Sequence, residues 1–289
     1  MHITVKVPGS CGELVQGAID GGSFLVTFPI NLYTTVHVTD QQGDFSPLMP
    51  KAGEALKRVL AFLGADSFPY AVQLKSELPP GKGMASSSAD IAAVCFAAAA
   101  ALDLEISPKS VAQIAAAIEP TDGVFFSGVV QLNHMNGELL YSFGSPPPLR
   151  VLIFDTGGSV DTLRFHQRAD LSSLVAQKEL QIKKALQLLQ CPLTEKMVAE
   201  AATISALANQ RILYKQPLEQ VLSFVREFGA LGINAAHSGT VFGVLFSSAV
   251  PTAVMRECKK RVLYQYPFLQ YLCEAQLIAG GCSIESFES

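Results

Sequence analysis

From Ile91 to Leu102 the chain carries twelve apolar residues without interruption, mostly alanine. A helix built from such a run has no polar face to turn toward water, so the rest of the chain must cover it on every side. The run is too short to cross a bilayer, which needs about 20 apolar residues. A chain of 289 residues can supply that cover. Hydrophobic residues make up 49% of it and charged residues 16%, a balance that excludes a disordered protein. Just upstream, Tyr70, Val72 and Leu74 alternate with Gln73, Lys75 and Glu77, the pattern of a strand. Strand and helix are joined by PPGKGMASSSAD, residues 79–90.

That connection has the parts of a phosphate cradle. Gly81 and Gly83 allow left-handed backbone and a close approach of main chain to ligand. Ser86, Ser87 and Ser88 fall where the helix starts, so hydroxyls and unpaired N–H groups meet at the positive end of its dipole. A serine there can also ligate Mg²⁺. The loop is neither GxxxxGK[ST] nor GxGxxG, and spacing alone leaves open a plain glycine turn with a serine N-cap.

Around this centre, strands are expected at 3–7, ended by Pro8-Gly9, and within 24–38. Helices are expected at 51–63, 87–102 and 108–118, followed by a hairpin around Asn136-Gly137. Ser145-Pro146-Pro147-Pro148 reads as a boundary, dividing the chain into units 1–147 and 148–289. Beyond it come a buried strand at 151–154, helices at 170–190, 194–208 and 217–228, a strand at 241–246, a helix at 251–265 and a short tail. Mixed strands and helices in two halves imply an α+β fold.

A net charge of −4 with scattered Lys and Arg argues against a nucleic-acid partner and for a small molecule. The six cysteines form no CxxC pair and no zinc spacing, so reduced thiols in a cytoplasmic protein are expected. MHITVKVPGS lacks the apolar segment of a signal peptide, and no membrane association is expected.

LPPGKGMASSSADI resembles the second motif of the GHMP kinases, P-x-x-x-G-L-G-S-S-A-A. Pro79, Gly83, Met84, Ala85, Ser86 and Ser87 fill it in order. Ala85 stands in for the third glycine and is expected to keep out of the left-handed region. PGSCGELVQG (8–17) occupies the place of the family's first motif, and NAAHSGTVFGVLF (234–246) resembles its third. The resemblance implies the two-domain GHMP kinase fold, with an N-terminal ribosomal protein S5 domain 2-like unit and a C-terminal ferredoxin-like α/β unit. It also implies ATP and Mg²⁺ as partners of a monomer or homodimer.

Within the family, the first and second motifs together, and the segment Asp155–Thr162, look like the branch of L-threonine kinases tied to cobalamin synthesis and propanediol utilisation. That resemblance implies an alcohol-group phosphotransferase that makes O-phospho-L-threonine, precursor of the cobalamin aminopropanol linker. A homoserine kinase-like enzyme, or a nucleotide-binding regulator without catalysis, are the competing readings.

By resemblance, Pro80, Gly81, Lys82, Gly83, Met84, Ala85, Ser86, Ser87 and Ser88 bind ATP, and Ser87 with Glu119 binds the metal. Asp122 matches the family aspartate that takes the acceptor proton in some members. Ser10, Glu13 and Gln16 are candidates to hold the amino acid's ammonium and carboxylate, and Glu13 is the natural ammonium partner. His237, Ser238 and Gly239 belong to the third-motif loop near the acceptor, although His237 equally suits a packing role. Cys11 reads as a small packing residue. Arg150 and Arg164 are candidate anion contacts.

Overall fold

The computed structural model describes residues 1–40, 48–160, 167–190 and 192–287. Asp161, Thr162 and Arg164, singled out above, lie outside those residues, as does Cys191.

Among the described residues, ten antiparallel strands form one sheet. Strands β1 (His2–Ile19) and β2 (Gly22–Thr39) make a long hairpin at its centre, and β3 (Ala71–Ser76) pairs with β2. Strands β4 (Val129–Asn133) and β5 (Glu138–Gly144) extend the sheet beyond β2, with the Asn136-Gly137 turn between them. On the other side of β1 follow β7 (Gly232–Ala235), β8 (Val241–Ser247), β6 (Leu149–Asp155) and β9 (Gln270–Gln276). Strand β10 (Ser283–Phe287) returns to pair with the start of β1.

Helix α1 (Pro50–Leu63), helix α2 (Ser86–Ala101), which is the apolar run, and helix α3 (Pro108–Ala116) lie on the first half. α2 is buried along almost its whole length between β1, β2, α1 and α3. Ser107 caps α3, accepting from Ser110 N at 3.1 Å, with Pro108 in the first turn. The second half adds α4 (Leu171–Gln177), α5 (Glu179–Leu189), α6 (Glu195–Ala208), α7 (Leu218–Val225) and α8 (Thr252–Gln265). A second core cluster, with Phe154 stacked on Phe242, sits under α7 and α8.

Three expectations change. Strand β1 does not stop at Pro8-Gly9 but runs to Ile19. Register shifts at Pro8/Gly9, Ser10/Glu13 and Glu13/Val15 absorb the proline and re-aim the first-motif side chains. The 170–190 helix breaks at Lys178, giving α4 and α5. The tail forms β9, which is exposed to half-buried except at Ala275, and β10, whose residues 283–286 are exposed, so neither carries a clear hydrophobic pattern. The Ser145–Pro148 segment lies between β5 and β6, and the sheet continues across it through the β1–β7 pairing at Glu13 and Ala235.

Candidate active site

Backbone contacts bring the three motifs together. Ser10 N donates to Met84 O and Gly12 N to Gly83 O, both at 3.0 Å, joining the first motif to the second. Thr240 N and Val241 N both donate to Lys82 O, at 2.9 and 3.1 Å, joining the third. Gly83 and Gly239 meet where a Cβ on either would fall within 3 Å of the opposing backbone, so both positions need glycine for contact.

The junction opens into a narrow cleft with a cavity volume of about 90 Å³. Of the residues expected to act, it is lined by Glu13, Gln16, Gly81, Gly83, Met84, Ala85, Ser86, Ser87, Ser88, Glu119, Asp122 and Ser238. The start of α2 points into it with no side-chain cap. Its N-cap is Ala85 rather than a serine. Ala85 also occupies the left-handed region after all, at φ 55° and ψ 25°. The turn is pinned through Gly83 and Met84 on one side and by Ala89 N donating to Ala85 O on the other, which outweighs a backbone cost of roughly 1–2 kcal/mol. The three serines differ. Ser88 Oγ accepts from Asp122 N at 2.9 Å and from Thr121 Oγ1 at 3.3 Å, tying α2 to the 119–122 turn. Ser87 Oγ lies 3.4 Å from the Lys51 ammonium, which is 2.6 Å from Glu119 Oε2.

Ser87 and Glu119 thus already face a single cation. Glu119 is buried, and its Oε1 has no hydrogen-bond partner among the described residues. A hydroxyl and a carboxylate that share a cation, one carboxylate oxygen being unspent, suit Mg²⁺, which takes one or two protein oxygens and completes its shell with phosphates and water. Lys51 went unnoticed in the sequence because it reads as the first turn of an amphipathic helix. Only the packing of α1 on α2 carries it to Glu119.

Below the cleft, Glu13 is set by a relay. His237 donates to Glu13 Oε2 from its backbone N at 2.9 Å and from Nδ1 at 3.0 Å. Burial pushes the imidazole down to about 4, so it is neutral near pH 7. Its Nδ1 must carry the proton, since the carboxylate only accepts. Nε2 then accepts from Ser205 Oγ at 3.0 Å, and Ser205 Oγ accepts from Gln16 N at 3.1 Å. Burial alone would raise the Glu13 pKa, but the His237 hydrogen bonds hold it below the usual carboxylate range, leaving a fixed anion in the cleft wall. Asp122 goes the other way. Burial, reinforced by the charge of Glu13, pushes it up to about 8.

Several expected residues stand elsewhere. Lys82 turns from the cleft: its ammonium is 2.6 Å from buried Asp155 and 2.6 Å from Gly158 O, clamping the loop to the end of β6. His237 acts behind Glu13, Ser10 sits beneath the cleft beside the Asp122 carboxyl, and Pro80 and Gly239 shape the loops without lining it. Arg150 is spent on Glu274, Thr252 and Val250 O. Cys11 is buried against Asn234, and burial pushes its thiol up, out of reactive range.

Residues 51–128 match the family description "GHMP kinases N terminal domain". The chain is 35% identical to an L-threonine kinase of Salmonella typhimurium, over 83% of this chain and 81% of that protein. It is 33% identical to an L-threonine kinase of Citrobacter freundii, over 83% and 85%. The chain belongs to the GHMP kinase family. Solved structures agree on the fold at low identity. The mevalonate kinase of Methanococcus jannaschii superposes with a TM-score of 0.72 at 12% identity, covering 96% of this chain and 98% of that one. A homoserine kinase from Cytophaga hutchinsonii gives 0.67 at 14% identity, covering 98% and 97%. Among the described residues, no helix of this GHMP kinase is long and apolar enough to cross a membrane.

Proposed function

We propose that this kinase transfers the γ-phosphoryl group of ATP to the side-chain hydroxyl of L-threonine. One observation carries the reading: a fixed carboxylate, Glu13, faces the same cleft as the uncapped start of α2, so one cavity suits both an ammonium and a phosphate chain. The identity to two L-threonine kinases supports threonine as the acceptor.

The N–H groups and hydroxyls at Ser86 and Ser87 hold the phosphates, with Gly81 and Gly83 giving them room. Ser87 and Glu119 would hold Mg²⁺, which when bound would supply neutralisation of the charge on the transferring phosphoryl group. Lys51, 3.4 Å from Ser87 Oγ at the start of α2, would add a second positive charge beside the phosphates. Gln16 and Glu13 orient the acceptor. Its hydroxyl oxygen forms the new bond to the γ-phosphorus as the bond to the ADP oxygen breaks. The hydroxyl proton passes to Asp122 in its carboxylate form, which has first released its own proton to solvent. Burial pushes its pKa up to about 8, so this form is a stronger base than an exposed carboxylate and its share grows as the pH rises toward 8. We place the protein in the cytoplasm, with its product feeding the aminopropanol linker of cobalamin.

The test is coupled ADP release with L-threonine, L-serine, L-homoserine and 1,2-propanediol. The expected result is a clear preference for L-threonine. A threonine rate no higher than the acceptor-free background refutes the proposal, and a preference for homoserine redirects it.

A further inference from the structure

Past Gln16 and His134, which line both, the cleft continues into a second hollow of about 360 Å³, between the far end of β1 and the junction of α4 with α5. Lys178 stands in its wall at that junction, 5% exposed. Its ammonium donates to Asn209 Oδ1 at 3.1 Å, and among the described residues its other two N–H groups meet no acceptor. The neighbouring cations are placed differently. Lys215, which donates to Ala236 O at 2.6 Å, lines neither cavity, and Arg168 is held by Asp170 and Ile212 O. Burial pushes the Lys178 ammonium down to about 7, and a buried ammonium with two idle donors costs stability unless an anion comes to meet it. At the wall shared by the two cavities, Gln16 presents the complementary group, a buried Oε1 that meets no donor among the described residues.

We infer that Lys178, positioned by Asn209, receives the carboxylate of the amino-acid acceptor, while Gln16 Oε1 and Glu13 receive its ammonium. The inference rests on the reading of the chain as an amino-acid kinase and adds a specificity residue to it. Threonine carries its carboxylate, ammonium and hydroxyl on neighbouring carbons. Anchoring the first two at the wall between the cavities turns the third toward Asp122 and the start of α2. An amino alcohol without the carboxylate loses one anchor and leaves the Lys178 ammonium idle. The first-motif residues, to which the sequence assigned both charges of the amino acid, are left with the ammonium alone.

The decisive comparison is L-threonine against (R)-1-amino-2-propanol, which keeps the ammonium and the hydroxyl and lacks the carboxylate. In the wild type, kcat/KM favours threonine. In Lys178→Met the threonine-to-aminopropanol ratio falls about 10- to 100-fold through a higher KM for threonine, the worth of a charge-assisted contact. Lys178→Arg recovers part of the ratio. A merely structural role would depress both acceptors together, so an unchanged ratio in folded Lys178→Met overturns the inference. If that variant does not fold, Asn209→Ala serves, and an unchanged ratio there overturns it equally. Calorimetric titration with L-threonine separates the two claims. Wild-type binding without turnover refutes the proposed function, while the inference still stands or falls on whether Kd rises in the variant.

Discussion

Gly239→Ala tests whether contact between the second and third motifs holds the active site. The backbone at Gly239 needs no left-handed conformation, so alanine is tolerated locally, and the difficulty is space. An added Cβ would lie 2.3 Å from Lys82 O, 2.4 Å from Gly83 Cα and 2.5 Å from Gly83 N. All three are backbone atoms of the phosphate loop. Relief to the 3.0 Å that real contacts respect moves the loops apart by about 0.7 Å. Overpacking of this kind costs about 1–3 kcal/mol. The two hydrogen bonds that Thr240 N and Val241 N give to Lys82 O stretch as well, at about 0.5–1.5 kcal/mol each. The lower entropy of the unfolded alanine chain returns about 0.4–1 kcal/mol. A net loss of about 2–4 kcal/mol is expected in denaturant titration. A displacement near 1 Å at a phosphate-positioning loop is also expected to lower kcat/KM for ATP about 100-fold. Gly53→Ala is the control, because its Cβ would meet nothing within 4 Å and it lies inside α1; it should gain about 0.5–1 kcal/mol. A Gly239→Ala protein within 0.5 kcal/mol and threefold of wild type would falsify the argument.

Ser87→Ala and Glu119→Gln should each lower kcat at least about 10-fold, with melting temperatures close to wild type and a raised Mg²⁺ requirement; unchanged kcat in both removes them from the site. Infrared difference spectra of the ligand-free protein should show a carboxyl group losing its proton near pH 8 that is missing in Asp122→Asn. The folded state keeps that proton over a range where the unfolded chain, with its carboxyl near 3.9, has released it. Wild-type stability should therefore fall relative to Asp122→Asn between about pH 4 and pH 8, by up to about 1.4 kcal/mol per unit, and parallel pH–stability curves would contradict the assignment. Ala85→Gly should be more stable by about 0.5–1 kcal/mol, since the relief of left-handed strain exceeds the added unfolded-state entropy; a loss of stability would mean that the alanine Cβ packs better than its backbone suggests.

Local pattern carried much of the architecture. The apolar run at 91–102, the alternation at 70–77 and the Ser107-Pro108 start each specify an element from neighbours in the chain, and each appears as expected. The phosphate loop was legible for the same reason, because glycines, serines and a helix start are adjacent in sequence. Strands β9 and β10 were not, since their stability comes from β6 and β1 rather than from their own composition.

The sequence by itself determined the α+β character, the helix that must be buried, the loop that can receive phosphate, and the carboxylates Glu13, Glu119 and Asp122 as the chemistry available. Only the tertiary structure decided what each group does, because charge, burial and reach depend on neighbours far along the chain. Lys82, the lysine inside the motif, is drawn away by Asp155. Lys51, 36 residues before Ser87, reaches the expected metal ligands instead. Two carboxylates of the same cleft part ways: His237, 224 residues from Glu13, keeps that one ionised, while burial beside it raises Asp122. Lys178 carries no local signal at all. It becomes a candidate anchor only where a break between two helices buries its ammonium against Asn209 in the wall of a cavity, with two donors that meet no acceptor among the described residues.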